Sequence, residues 1–359
     1  MPITRRNLIE ASAAALSVSS LRGQTAQTSP RRYAWNPRLS ENLNDVDPST
    51  LKWLKQVGCN HVVLQGTDWV DAAKKGYWSV DDVLGVKKAC EAAELKLESM
   101  MLPIDSYRAA RFGLPERDRD IENAIKCVKA LAIAGVPRME WRFQLDFYWG
   151  GNVGYVSDPG RGGARYSGFD YDKVKDLPPI EGMQPVGADE VWKRLVYFCR
   201  PVADAAEKAG VLLSMHPNDP PVPVMRGVAR VLYSADAMRR FLKEVPNPNS
   251  GISFCQGTFT EMGVNVLEEI KWFATRKRLN LVHFRAVRGK VPRYVETFID
   301  EGDVDMLQAM KAYRDSGYDG PIVSDHTAGM EGDRGFRLMG RTFSHGYMLA
   351  LVHAVNAMP

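Results

Sequence analysis

The strongest constraint on this chain is an alternation that runs along most of its length. Short apolar or β-branched runs recur, most of them followed by a longer stretch with helical periodicity. The predicted strands are Arg32–Trp35, His61–Gln65, Leu95–Met101, Arg138–Phe143, Val211–His216, Gly251–Cys255, Leu279–Arg285 and Pro321–Asp325. Helical patterns lie between them, over Asp81–Ala93, Asp118–Ala134, Ala188–Ala209, Ala235–Glu244, Val266–Thr275 and Val304–Ser316. Several close on glycine, as in Ala134-Gly135, Ala209-Gly210 and Ser316-Gly317, the usual end of a helix. Strands that alternate with helices pair in parallel, because the helix carries the chain back to the start of the next strand. Eight such units predict an α/β fold closed into a (β/α)8 barrel rather than an open sheet. At 359 residues the chain is long enough for one barrel, expected over residues 31–359.

One connection exceeds an ordinary barrel loop. Residues 146–187, rich in Gly, Tyr, Asp and Pro, join the fourth and fifth predicted strands. Loops of this length are usually functional, and a βα loop lies on the catalytic face, so a lid over the site is expected; the alternative is a plain surface excursion.

Charge and cysteine content narrow the function. With 47 Lys+Arg against 43 Asp+Glu the net charge is +4, and the basic residues are scattered, which argues against a nucleic-acid partner. No run of 18 apolar residues offers a membrane span. Five widely spaced cysteines form neither a CxxC pair nor a disulfide framework. The first thirty residues differ from the rest: Arg5-Arg6 precedes a short Ala/Ser-rich, mildly apolar stretch that resembles a twin-arginine export signal, with cleavage expected near Ala26. The alternative is an ordinary N-terminal tail. Export by that route, which carries folded proteins, would place the mature chain in the periplasm.

In a barrel, chemistry gathers at the C-terminal ends of the strands. Four consecutive predicted strands end in metal-capable side chains: His216, Cys255, His283 and Asp325. Two imidazoles, a thiolate and a carboxylate suit Zn²⁺, Mn²⁺, Fe²⁺ or Co²⁺ better than Ca²⁺ or Mg²⁺. Singly, a strand histidine or cysteine is more often a core residue; the convergence carries the inference. His61 and His353 read as structural, and His345 stays undecided. Around the same rim stand Asn218, Asp219, Arg285 and Arg288, the arginines being candidate anchors for an acidic substrate or partners of acidic neighbours such as Glu296. His326 adjoins Asp325 and is a candidate general acid or base.

At these residues the chain resembles the mannonate dehydratase family. His216-Pro217-Asn218-Asp219-Pro220-Pro221 is similar to its HPDDPP segment, Phe254-Cys255-Gln256-Gly257 to its CTG strand end, and Val282-His283-Phe284-Arg285-Ala286-Val287 to VHLRNV. Glu296-Thr297, Gly302-Asp303-Val304-Asp305-Met306, Tyr318-Asp319-Gly320-Pro321 and Asp325-His326 continue the match, and Trp78-Ser79-Val80 with Glu116–Asn123 extends it towards the N-terminus. The resemblance implies a xylose-isomerase-like barrel and a divalent metal, usually manganese, on His216, Cys255, His283 and Asp325. It implies elimination of water from D-mannonate to give 2-keto-3-deoxygluconate, with His326 matching a catalytic histidine. Arg285 and Asp219 are further catalytic candidates, and Asn218, Arg288 and Trp78 candidate substrate contacts. Barrels of this kind often form homo-oligomers.

The departures matter as much. Gly335-Phe336 stands where the family has Gly-Tyr, Asn218 replaces an Asp, and Asp146-Phe147-Tyr148-Trp149 lacks the arginine of a family segment. The family's histidine two residues after Asp-His-Gly is absent too, this chain reading Asp325-His326-Thr327-Ala328. Tyr347, nearby in sequence, is expected inside the last helix. The expectation is a metal-dependent sugar-acid dehydratase. The alternatives are an isomerase, epimerase or lyase acting on another carbohydrate, and, more remotely, a non-catalytic exported sugar-binding barrel.

Overall fold

The structure is a computed structural model that describes residues 34–66, 75–145, 153–182, 184–333 and 336–359. The export-signal expectation at residues 1–30 lies outside the described residues. Residues 34–359 form one compact unit.

Eight parallel strands close the barrel: β1 (Arg38–Leu43), β2 (His61–Leu64), β3 (Lys96–Met101), β4 (Arg138–Arg142), β7 (Leu212–His216), β8 (Ser250–Cys255), β9 (Leu279–His283) and β12 (Pro321–Val323), where β5, β6, β10 and β11 belong to a second sheet. Around the barrel the order is β1-β12-β9-β8-β7-β4-β3-β2. The main outer helices are α1 (Pro48–Gln56), α2 (Val80–Ala92), α3 (Arg117–Ala134), α4 (Ala188–Ala209), α5 (Ala235–Glu244), α6 (Gln256–Glu261), α7 (Val266–Thr275), α8 (Met306–Asp315) and α9 (Leu338–Asn356).

Local chemistry sets the helix ends. Asp47 accepts from the amides of Ser49 and Thr50, with Pro48 opening α1. Ser79 and Asp82 form a reciprocal capping box on α2. Gly135 and Gly210 end α3 and α4 in the left-handed conformation that glycine adopts without strain. Between strands and helices lies one large apolar core containing Leu54, Val62, Leu97, Trp141, Phe198, Phe254 and Tyr313.

The first strand corrects the sequence expectation. It is Arg38–Leu43; of the expected Arg32–Trp35 only Ala34 and Trp35 are described, and they form no strand. Ser40, Glu41 and Asn42 are all buried in it, so the segment lacks the apolar run expected of a parallel strand. The Glu41 carboxylate is satisfied inside: it accepts from Arg341 (2.6 Å), from Ser324 and from His345 Nε2 (2.8 Å), and His345 Nδ1 lies 3.2 Å from Cys59 Sγ. His345 is therefore a core histidine. His61 is engaged at the other end of the barrel, with Nδ1 2.9 Å from Glu98.

The long connection is not a free loop. Its described part forms β5 (Tyr155–Pro159) and β6 (Arg165–Asp170), which pair antiparallel with β11 (Arg293–Glu296) and, through it, β10 (Val287–Lys290). This sheet carries Tyr155, Ser167 and Glu296 to a cavity of about 650 Å³ whose wall also includes Asn42, Asp325, His326 and Phe336. Residues 146–152 and 183 lie outside the described residues.

Candidate active site

The ends of β7, β8 and β9 bring His216, Cys255 and His283 together, their ligand atoms within 4.8 Å of one another and all three side chains buried. Asp325, just past β12, completes the arc: its Oδ1 lies 3.4 Å from His283 Nδ1 and its Oδ2 3.9 Å from Cys255 Sγ. Asp325 holds a left-handed backbone at φ 61°, unusual for a residue with a side chain and typical of functional sites.

The donor set suits a transition-metal ion. His216 Nδ1 donates to the Pro217 carbonyl (2.7 Å), which leaves Nε2 as the free lone pair. His283 Nε2 lies 3.3 Å from Ser253 Oγ and 3.4 Å from Glu140 Oε1, whereas its buried Nδ1 has no hydrogen-bond partner among the described residues. An orphaned buried nitrogen beside a thiol and a carboxylate is what a ligand nitrogen looks like. Burial alone would push the Cys255 thiol up, but the Arg285 guanidinium and His283 hold it below its ordinary value. Burial would likewise raise Asp325, yet His326 and His283 keep it well below the carboxylate range. Burial, with the Arg142 and His283 charges, drives His216 well down. His283 is held well above its ordinary value, because Asp325 and Glu140 outweigh the burial that opposes it.

Beside this arc lies an ion-pair knot. Fully buried Arg285 reaches Asp219 (2.5 Å), Glu261 (2.8 Å), Glu296 (3.1 Å) and Asp325 (3.1 Å). It lies so close to the first turn of α6 that a Cβ on Gly257 would sit 2.6 Å from its guanidinium carbon. The nitrogens of Arg285, expected as a catalytic arginine or substrate anchor, thus face carboxylates already in place, the position of an internal counter-ion. Asp219 also accepts from Thr258 (3.3 Å) and Tyr294 (3.2 Å). His326 Nδ1 lies 2.6 Å from Glu296 Oε1, and its ring remains half-exposed in the cavity. Burial opposes its protonation, but Asp325 and Glu296 raise its pKa above the ordinary value.

Three expected substrate contacts are placed elsewhere. Both ends of the Asn218 amide serve the backbone, donating to Phe143 O (3.2 Å) and accepting from Leu232 N (2.8 Å). Arg288 is exposed on β10 and donates to Glu301 O. Trp78 is fully buried in the core, its amide against Cys127. Phe336 does line the cavity, under the Arg341 guanidinium at 3.9 Å. Tyr347 lies in α9, stacked on Phe343, away from that wall.

Glu140, Asn42, Glu261 and Arg142 went unnoticed in the sequence. Glu140 backs His283, and Asn42 donates to Asp325 Oδ1 (3.2 Å). The signal was present in β4: Arg138-Met139-Glu140-Trp141-Arg142 places a charge at every second position of a strand that should be apolar throughout.

A closed parallel barrel of eight strands with helices outside it is the xylose-isomerase-like fold. Among solved structures, a xylose isomerase domain protein from Planctomyces limnophilus superposes with a TM-score of 0.58 over 90% of this chain and 98% of its own, at 14% identity. A mannonate dehydratase from Streptococcus suis superposes far better, with a TM-score of 0.80 over 89% of this chain and 95% of its own, at 25% identity. The mannonate dehydratase of Thermotoga maritima is 29% identical over 316 residues, covering 78% of this chain and 87% of the relative. The family model for D-mannonate dehydratase (UxuA) matches residues 165–359, and the chain belongs to that family of hydro-lyases.

Proposed function

We propose that this chain dehydrates a six-carbon aldonate, D-mannonate being the first candidate, to the 2-keto-3-deoxy acid. The observation that carries the reading is the buried arc His216–Cys255–His283–Asp325 opening beside His326 within a family of dehydratases. Those four residues would hold a divalent ion, with Mn²⁺ the first choice and Fe²⁺, Co²⁺ or Zn²⁺ compatible with the donors. The Lewis-acid chemistry that acidifies the C2 proton of the bound acid would come from that ion.

The chain's own residues supply the proton transfers. His326, oriented by Glu296 and open to the cavity, accepts the C2 proton. As the C2–C3 double bond forms, the C3–O bond breaks and the departing hydroxide takes a proton to leave as water. With Phe336 in the family tyrosine's place, the phenol that faces the same cavity among the described residues is Tyr155, and it donates that proton. The enol then takes a proton at C3 and loses its hydroxyl proton to become the ketone, which regenerates both groups. Thr327 and Asn42 close the cavity behind Asp325. Export of the folded, metal-loaded chain through Arg5-Arg6 and the Ala/Ser-rich stretch belongs to the same reading, as does assembly into a homo-oligomer.

The test is an assay of Mn²⁺-loaded protein on D-mannonate, following 2-keto-3-deoxy acid formation, with Cys255→Ala as control. Turnover lost in the control together with bound metal supports the reading. No turnover by protein carrying stoichiometric metal refutes it and favours another carbohydrate reaction on this barrel.

A further inference from the structure

The four-residue arc occupies adjacent strands, and the strand beyond His216 is β4, which lies across the barrel from β12. Arg142 ends β4 and pairs in register with His216, as Glu140 pairs with Ser214. Since β4 alternates faces and Glu140 reaches His283 inside the barrel, Arg142 shares that inward face one step nearer the mouth. Its backbone carbonyl accepts from Tyr107, but its guanidinium has no ion pair or hydrogen bond among the described residues, and Nε is buried without a partner. At the same mouth Arg285 is matched by four carboxylates and Arg341 by Glu41. A half-buried cation with no counter-ion among the described residues is costly to keep, and here it stands beside the ligand arc.

Resting on the dehydratase reading, we propose that Arg142 is the carboxylate anchor of this enzyme, binding the substrate's C1 carboxylate on the open side of the arc. A guanidinium fork matches a carboxylate with two parallel N–H···O bonds, and it fixes which end of a polyhydroxy acid meets the arc. Selectivity for aldonates over neutral alditols and aldoses follows, because an uncharged ligand leaves Arg142 unpaired. Arg337 is the competing cation. It lines the cavity beside Asp325, but it already donates to the Thr327 carbonyl at 2.6 Å.

The experiment is calorimetric binding of D-mannonate and of uncharged D-mannitol to Mn²⁺-loaded protein in a His326→Gln background, which prevents turnover. Metal content and melting temperature are read on every variant. Arg142→Met should weaken mannonate binding by about 10- to 150-fold, the range for one charged hydrogen-bonded contact. It should leave mannitol binding and metal content unchanged, and Arg142→Lys should recover part of the loss. Its melting temperature should hold or rise, because an unpaired cation is removed; a merely structural arginine would lower it. Unchanged mannonate affinity in Arg142→Met, or the loss appearing in Arg337→Met instead, overturns the assignment. A parent that binds metal but not mannonate overturns the dehydratase reading, and the anchor with it.

Discussion

Replacing Arg285 separates its two possible roles, because substrate anchor and internal counter-ion make opposite predictions. In Arg285→Met, Asp219, Glu261, Glu296 and Asp325 lose the cation that lies within 3.1 Å of each. Breaking a buried ion pair by removing one partner costs about 3–5 kcal/mol. Several carboxylates depend on this one cation, yet the loss should stay near that range, since a buried acid escapes by taking up a proton. Glu261 is the first to do so: burial already holds it well above the carboxylate range, against the pull of Arg285. Unfolding entropy scales with length, so for a barrel of this size about 0.7 kcal/mol per degree is expected, and the melting temperature should fall by about 4–7 °C. In the variant the crowded carboxyls have folded-state pKa values above their unfolded ones, so the deficit is largest at high pH and shrinks as the pH falls and they protonate. The assay is a thermal melt in chelator at several pH values, beside steady-state kinetics of the loaded enzyme. A variant that melts with the wild type at every pH, while its KM for the acid rises steeply, would refute the counter-ion assignment and restore Arg285 as the anchor.

Three further substitutions probe separate parts of the molecule. Glu98, buried at the N-terminal end of the barrel, is held at about 2 against its burial by His61, Arg38 and Arg138. Because that value is depressed, its contribution is complete above the ordinary glutamate range and is lost as pH falls from about 4.5 towards 2. Glu98→Gln should lower the melting temperature at pH 7 and flatten the acid limb of the stability profile; an unchanged limb would show that other carboxylates govern acid unfolding. Tyr155→Phe should reduce kcat by about 10²- to 10⁴-fold with KM nearly constant, as expected for loss of a general acid, and a wild-type kcat would exclude the phenol. Phe336→Tyr should raise mannonate turnover by adding a second hydroxyl to the cavity wall, with stability changed by less than about 0.5 kcal/mol; no gain would point to a different substrate.

Much of the barrel was legible because its strands and helices obey their own periodicities, and helices such as Ala188–Ala209 and Ala235–Glu244 coincide with the apolar pattern residue for residue. What escaped was polar and buried. β1 was missed because Ser40, Glu41 and Asn42 look like loop residues until Arg341, His345 and Asp325 are placed against them from hundreds of residues away. The metal-capable residues could be found because each ends an apolar strand, a local pattern. The assignments of Arg285, Arg288 and Asn218 could not, because an arginine's partner decides whether it is an anchor or a counter-ion. Arg285 meets carboxylates from β7's exit, α6, β11 and β12's exit, and no spacing in the sequence announces that meeting.

Strand β4 shows how one buried polar alternation divides its work by depth. Arg138, at the closed end, donates to Glu98 at 2.9 Å and contributes only to stability. Glu140, one step up, stands behind His283 and would fix the tautomer of a ligand. Arg142, at the mouth, has no protein partner among the described residues and is left for the substrate. The three arginine and glutamate side chains share one face of one strand, so their environments differ mainly in height along the barrel axis. This argues that a guanidinium with no partner among the described residues is a retained cost: methionine at position 142 would suit the fold better, and a carboxylate-bearing ligand makes arginine the better choice.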